Sequence, residues 1–540
     1  MRHGWLLRNL TAKVNLSFAV LLYCFLFACA SQNPNAYQQK PSPTPSSVVT
    51  SNNSDQSSTE DNTPDSTSDT ENQDKEKKAE EKKEITPTPE PSRIYKYQQI
   101  QKEIQKSEPE KIPEIVIPFS PIARKVYDKV TSLSDQGSTI NVKSLASTGN
   151  KLIKTYFEGE EIFNGIKEMV SAAKYEVNLV TYNWEPDSDA ARVIGEGLKL
   201  AEENITDKKK LTVRIIVDDF KFDSKKVIEV LNNSRKKLGL DANKINLQLA
   251  VYPHYTFGSL HSKYIIVDSR HLIVTSANVV SKHDFNDNKW HDIGYLFQGA
   301  IASMALTDFD QAWENYAKHY DCENKTIFGN CTEVNAPGKT DRNYISSIKY
   351  DSGFPVIALP RASRELINNN VENPQDQGFL IAMANAGNNI NIESPNINDD
   401  GFQNAVIQAI KRGIEIKIIT SKDFNTGKEN LPLQGGDNDK IVKKLIAKII
   451  EEAPGMKNKL QIKWYSKNGL DPVTGESANA SHTKFMSIDN KIAIIGSGNM
   501  DTQSWNQSRE FNILIDNQEA THSIEGAFFK DDWEHSVSVN

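Results

Sequence analysis

Apolar positions along this chain alternate between a helical rhythm and short strand-like runs, and the whole alternation occurs twice. In the first half, EEIFNGIKEMVSAAKYEVNLVTYNW reads as an amphipathic helix followed by an apolar strand. ARVIGEGLKLAEE predicts a second helix and KLTVRIIVDDF a second strand. In the second half, GFLIAMANAGNNINIESPNI, DGFQNAVIQAIKRG and IEIKIITSKDF repeat the order helix, strand, helix, strand. Strands that alternate with helices imply largely parallel neighbours covered by helices. The pattern therefore predicts an α/β fold built as a pseudo-two-fold duplication, with two mixed sheets flanked by helices and a joint near residues 335–350. A further helix is expected in DNDKIVKKLIAKIIEEA, where Ile441, Leu445, Ile449 and Ile450 form a core-facing stripe.

The N-terminal part follows neither rhythm. Arg2, Arg8 and Lys13 precede an apolar run from Val14 to Ala28, the layout of a signal peptide. The run is shorter than the roughly 20 residues a membrane span requires. It ends in Leu26-Phe27-Ala28-Cys29, which resembles a bacterial lipobox and implies cleavage before Cys29 with lipid attached to that residue. From Ser31 to about Ser92 large apolar residues are nearly absent, and Ser, Thr, Pro, Glu and Lys dominate. Such a segment cannot bury enough surface to offset its ordering entropy, so it is expected to be a disordered tether. The predicted organisation is a signal peptide (1–28), a lipidated tether (29–93), an N-terminal half (94–340) and a C-terminal half (341–540). This predicts an exported protein anchored to a membrane, facing the periplasm or the cell surface.

The net charge of −8 offers no general attraction for a polyanion, so nucleic acid is not the expected partner. Cys322 and Cys331 are an even pair in a chain read as exported, which favours a disulfide. His254, His271, His283 and His291 crowd one region, but their spacings match no compact ligand pattern, and no metal is expected.

Each duplicated unit is followed by the same chemical pattern, HSKYIIVDSRHLIVTSAN in the first half and HTKFMSIDNKIAIIGSGN in the second, 221 residues further on. Both fit His-x-Lys-x-x-x-x-Asp, a strand and a small-Ser-x-Asn turn. Two residues apart on a strand, His261 and Lys263 would share a face, as would His482 and Lys484. Four cation-capable groups around one point suit a phosphate. Asp268 and Asp489 stand at an odd offset from the lysines and should face away in a structural role. The first turn carries Thr275 where the second has Gly496, so it is bulkier.

These residues resemble the HKD signature of the phospholipase D superfamily, over roughly Phe119 to Trp533. GSGNMDTQSWNQSREFNILID is similar to the family's extended motif, ending at Glu510, and LPLQGGDND resembles a loop of its microbial members. KWHDIGYLFQGAIASMALTDFDQAWENY is similar to the segment after the first motif in cardiolipin synthase-like enzymes, with Asp292 at the acidic position. The resemblance implies that one of His261 and His482 attacks phosphorus while the other protonates the leaving alkoxide. Of the two, His261 is the expected nucleophile. Lys263, Lys484, Asn278 and Asn499 would hold the non-bridging oxygens, Ser276 and Ser497 would add hydroxyl donors, and Glu510 and Asp292 would orient an imidazole. No cofactor is implied. The expected activity is hydrolysis or transphosphatidylation of phospholipids at a membrane surface by a monomer. A secreted nuclease of the same superfamily and an inactive surface binding module are the competing readings. Trp184, Trp290 and Trp505, near the motifs, are expected to pack rather than line a channel.

Overall fold

The computed structural model describes residues 117–539, apart from stretches at 206–208, 220–223, 254–257, 286–288, 322–331, 338–341, 348–351, 364–370, 425–434 and 476. Cys29, the predicted signal peptide and tether, Cys322, Cys331 and His254 lie outside the described residues. Ile117–Asn540 forms one compact unit. No described helix is long and apolar enough to cross a membrane.

The first half opens with helix α1 (Pro121–Thr131) and continues through β1 (Ala146–Phe157), α2 (Glu158–Ser171), β2 (Glu176–Thr181) and α3 (Asp189–Asn204). Then come β3 (Leu211–Asp218), α4 (Ser224–Leu238), β4 (Ile245–Tyr252), β5 (Tyr264–Val267), β6 (His271–Thr275) and β7 (Ile293–Gln298). Helix α5 (Ile301–Asn315) and strands β8 (Lys318–Asp321) and β9 (Thr332–Val334) complete it. The second half repeats the order: β10 (Phe354–Arg361), α6 (Pro374–Ala384), β11 (Asn389–Glu393), α7 (Asp400–Lys411), β12 (Glu415–Thr420), α8 (Asn438–Glu452) and β13 (Leu460–Trp464). It then runs through β14 (Phe485–Ile488), β15 (Ile492–Gly496), α9 (Thr502–Asn506), β16 (Glu510–Ile515), α10 (Gln518–Ile524), α11 (Lys530–His535) and β17 (Val537–Ser538).

Local chemistry places several boundaries. Ser120, Ser188, Asn373, Asp399 and Asp437 each cap a helix N-terminus with a side-chain oxygen, and Pro121 and Pro374 follow two of them. Within each half three strands run parallel, β2-β3-β4 and β11-β12-β13, and the motif hairpin is added antiparallel beside them. The strand order is β1-β7-β6-β5-β2-β3-β4-β8-β9 in one half. In the other it is β10-β16-β15-β14-β11-β12-β13-β17.

Each half carries one of the two expected mixed sheets, and β1 links them. Strand β1 is long and breaks register between Ser147 and Asn150; its start pairs with β10 and its remainder with β7. One 17-stranded mixed sheet results. A single apolar cluster crosses the joint, and Tyr264 of the first half meets Phe511 of the second with ring centroids 5.3 Å apart. Along α8, Ile441, Leu445 and Ile449 are buried as predicted, but Ile450 is 52% exposed. One residue past Ile449 turns the side chain roughly 100° away from the stripe.

Candidate active site

The two motif hairpins, β5–β6 and β14–β15, turn at Asp268-Ser269 and Asp489-Asn490, all four with positive φ. Short polar residues tolerate that conformation best. The Asp268 carboxylate accepts from the backbone N–H groups of Lys174, Tyr175 and Glu176. Asp489 accepts from Gly387, Asn388 and Asn389. Each aspartate thus ties its hairpin to the neighbouring parallel strand, away from the histidines.

His261, Lys263, His482 and Lys484 lie just before β5 and β14, not within them. The segment preceding each strand is extended and pairs with the opposite half. His261 N donates to Arg509 O at 2.9 Å, and Arg509 N to Ser259 O at 2.7 Å. The duplicate contact is His482 N to His291 O at 2.8 Å, with His291 N to Ala480 O at 2.9 Å. Arg509 and His291 immediately precede Glu510 and Asp292. Each motif histidine is therefore seated beside the acid of the other half. His261 Nδ1 donates to Glu510 Oε1 at 2.9 Å, and His482 Nδ1 to Asp292 Oδ1 at 2.9 Å. With Nδ1 committed to a carboxylate, Nε2 of each ring is the nitrogen left to react.

Ser276 Oγ donates to Asp292 Oδ1 at 2.6 Å, and Ser497 Oγ to Glu510 Oε2 at 2.5 Å. Both hydroxyls are buried and support the carboxylates. Asn278 and Asn499 are nearly buried, each with an Oδ1 that lacks a hydrogen-bond donor. Asn499 Nδ2 donates to Asp501. The three tryptophans are buried; Trp290 packs on His482 with ring centroids 5.1 Å apart, while Trp184 and Trp505 sit in the core clusters.

The electrostatics are those of a buried cationic point. Burial lowers the Lys263 ammonium to about 8, against the pull of Glu510, Asp292 and Asp218. Burial holds Lys484 well below the usual lysine value, and Lys263 pushes it the same way. Each ammonium donates to the carbonyl of its own motif histidine. Burial also lowers both histidines, His482 the more strongly; Lys484 adds to this at both rings, Lys263 at His261 and His283 at His482, while Glu510 and Asp292 oppose it. Burial alone would raise Asp292, yet His283 and His482 bring it well below the ordinary carboxylate range. Glu510 likewise ends lowered, by His261 and Lys263 against burial.

His283 is the residue the sequence reading missed. Fully buried, it donates Nδ1 to Asp292 Oδ2 at 2.5 Å, so two imidazoles bracket one carboxylate. Its position 221 residues further on is Ser504, whose hydroxyl donates to Glu510 Oε1 at 2.8 Å. The motif spacing of 221 residues was the available signal, although the acids Asp292 and Glu510 stand 218 apart. Among the described residues, two groups bring His and carboxylate ligand atoms within 4.8 Å of one another: His283, Asp292 and His482, and His291, Glu393 and Asp532. The first is this acid–imidazole network, whose carboxylate is already satisfied by side-chain donors. In the second, His291 Nε2 donates to Asp532 and Ser481 Oγ to Glu393.

Two histidines and two lysines supplied crosswise by duplicated halves define the phospholipase D class of fold and site. Residues 146–313 and 379–533 match the cardiolipin synthase PLD-like domain family. The chain belongs to that family and is a phospholipase D-like enzyme. It is 23% identical to a cardiolipin synthase of Clostridium perfringens (strain SM101 / Type A) over 401 residues, 70% of each chain. Against cardiolipin synthase A of Escherichia coli O1:K1 it is 22% identical over 384 residues, 68% of this chain and 66% of that one. Phosphatidylserine synthase of Haemophilus influenzae Rd KW20 shares the fold, with a TM-score of 0.52 at 14% identity, over 77% of this chain and 92% of that one.

Proposed function

We propose that this enzyme transfers the phosphatidyl group of a phospholipid to an alcohol or to water by two-histidine chemistry. In this reading the Nε2 lone pair of His261 attacks phosphorus and the bond to the leaving alcohol breaks. The leaving oxygen takes the proton of His482. An acceptor hydroxyl then gives a proton to His482 as its oxygen attacks phosphorus and the phosphorus–nitrogen bond breaks. Lys263, Lys484, Asn278 and Asn499 would carry the charge on the non-bridging oxygens. The observation that carries the reading is the pair of buried ammonium groups, one from each half, that repel each other beside two oriented imidazoles. An anion between them relieves that repulsion.

The lipid substrate is supported by the relatives, which are named for phospholipid synthesis. Cysteine-linked lipid at Cys29 and the tether through residue 93 would hold the two halves (94–340 and 341–540) beside such a substrate, on the exported side of a membrane. Mass spectrometry of the mature protein tests the anchor; an intact residue 1–28 segment contradicts it. A disulfide between Cys322 and Cys331 belongs to the same proposal and is checked by thiol labelling with and without reductant.

The test of the activity gives the full chain phosphatidylglycerol vesicles with added ethanol. Phosphatidylethanol is the expected product, and an acid-quenched reaction should trap a phosphohistidine. Cleavage of a DNA or RNA substrate without any lipid product would overturn the lipid reading in favour of a nuclease. No turnover of either would favour a binding module.

A further inference from the structure

The two acid–imidazole pairs are duplicates in geometry but not in chemistry. Glu510 accepts from His261 and from the hydroxyls of Ser497 and Ser504. Asp292 accepts from His482, from Ser276 and from a second imidazole, His283. A hydroxyl can donate but cannot carry a charge at these pH values; an imidazole can do both. The rings of His283 and His482 have centroids 5.0 Å apart, and Trp290 packs against both, at 4.9 and 5.1 Å. His283 is fully buried and its Nε2 has no hydrogen-bond partner, while His482 keeps a small exposed edge.

We infer that His283 is a positioning residue for His482, a second imidazole that competes for the single Asp292 carboxylate so that only one of the two rings carries a proton charge at a time. The charged groups facing the pair all favour this outcome. Lys484 acts on both rings, Lys282 acts on His283 from its own turn, and Lys263 lies within the field of Asp292. Glu510 and Asp501 also act on the lysines, but Asp292 is the carboxylate that both rings bond. A second imidazolium 5.0 Å from the first would meet uncompensated repulsion in a buried site.

The consequence is asymmetry. A double displacement asks one histidine to be a neutral nucleophile and the other to carry the proton. Duplicated motifs alone would give both the same character. The imidazole in place of Ser504 makes the two titrations unequal, and couples that of His482 to His283. The inference rests on the two-histidine reading above.

The experiment is the pH profile of kcat/KM for the full chain, compared with His283→Ser, which installs the residue of the other half. Removing the competitor leaves the Asp292 charge to His482. One limb of the bell should therefore move upward by about half a pH unit or more, while the other stays. The limb that moves is the one His482 governs, so the same experiment tells which histidine starts protonated. Both limbs fixed, both shifting together, or a downward shift would overturn the inference. His283→Asn, which keeps a donor at the same place without a titrating ring, should reproduce the shift if the serine variant does not fold. As a measurement free of substitution, nitrogen-15 histidine spectra of the native protein should show only one of the two rings reaching the imidazolium state between pH 5 and 8. Two independent full titrations would overturn it. An active His482→Ala would sink the two-histidine reading; an inactive His482→Ala with unshifted limbs in His283→Ser would sink this inference alone.

Discussion

The motif histidines are hydrogen-bonded to carboxylates that stand far away in the chain. His261 and Glu510 are 249 residues apart, and Asp292 and His482 are 190 apart. Replacing Glu510 with Gln should lower kcat by about 10²–10⁴-fold, the range general acid–base assistance supplies, with little change in KM. Steady-state assays on a chromogenic phosphodiester check this. An unchanged kcat would mean that the ring does not need its carboxylate. Lys263 gives a pH dependence with a definite sign. Its ammonium is the form that holds an anion, and burial sets its titration at about 8. Inorganic phosphate should therefore inhibit progressively less as pH rises through 8, and Lys263→Met should flatten that dependence. The motifs themselves were legible because each is compressed into eighteen residues. Their pairing with acids across the joint was not, because nothing local records which half supplies a partner. His283 was obscured for a related reason: a lone histidine in SKHD carries no pattern until it is aligned with Ser504.

At the scale of elements, duplicated strands differ where their neighbours differ. Thr275 on β6 stands opposite Gly294 on β7, whereas Gly496 on β15 stands opposite Asn512 on β16. Bulk has moved from one strand to the other while the space between them is kept. Thr275 fills its side and donates Oγ1 to Ile293 O. Asn512 fills the other, accepting from Gly498 N and donating to Gln375. The apparent irregularity of the first turn is therefore a compensated exchange. Gly496 has φ +154°, and a Cβ there would lie 2.5 Å from Phe511 O. Gly496→Ala should cost at least about 1–3 kcal/mol, read from urea unfolding, since backbone and not a flexible side chain must give way. Period and turn chemistry made the helices and strands of both halves readable. The long reach of β1 into β10 was not, since a bulge that redirects half a strand leaves no mark in hydrophobic alternation.

For the whole molecule, the joint is held by the segments that build the site. Arg509, from the second half, is buried and donates to Asp308 and Gln311 on α5 of the first. Asp308 also accepts from Tyr264 and Thr139. Arg509→Ala would leave that carboxylate buried without its cation. A loss of about 3–5 kcal/mol is expected, measured by chemical denaturation, together with lost activity. A stable, active variant would show that the halves close without this ion pair.

The crosswise seating of the motifs has a bearing on descent. Neither copy forms a complete acid–imidazole pair on its own, because the acid encoded in one serves the ring encoded in the other. A substitution at Glu510 is felt at once by His261, encoded in the opposite half of the gene. The two copies thus share one fate: damage to the acid of either half disarms the ring of the other.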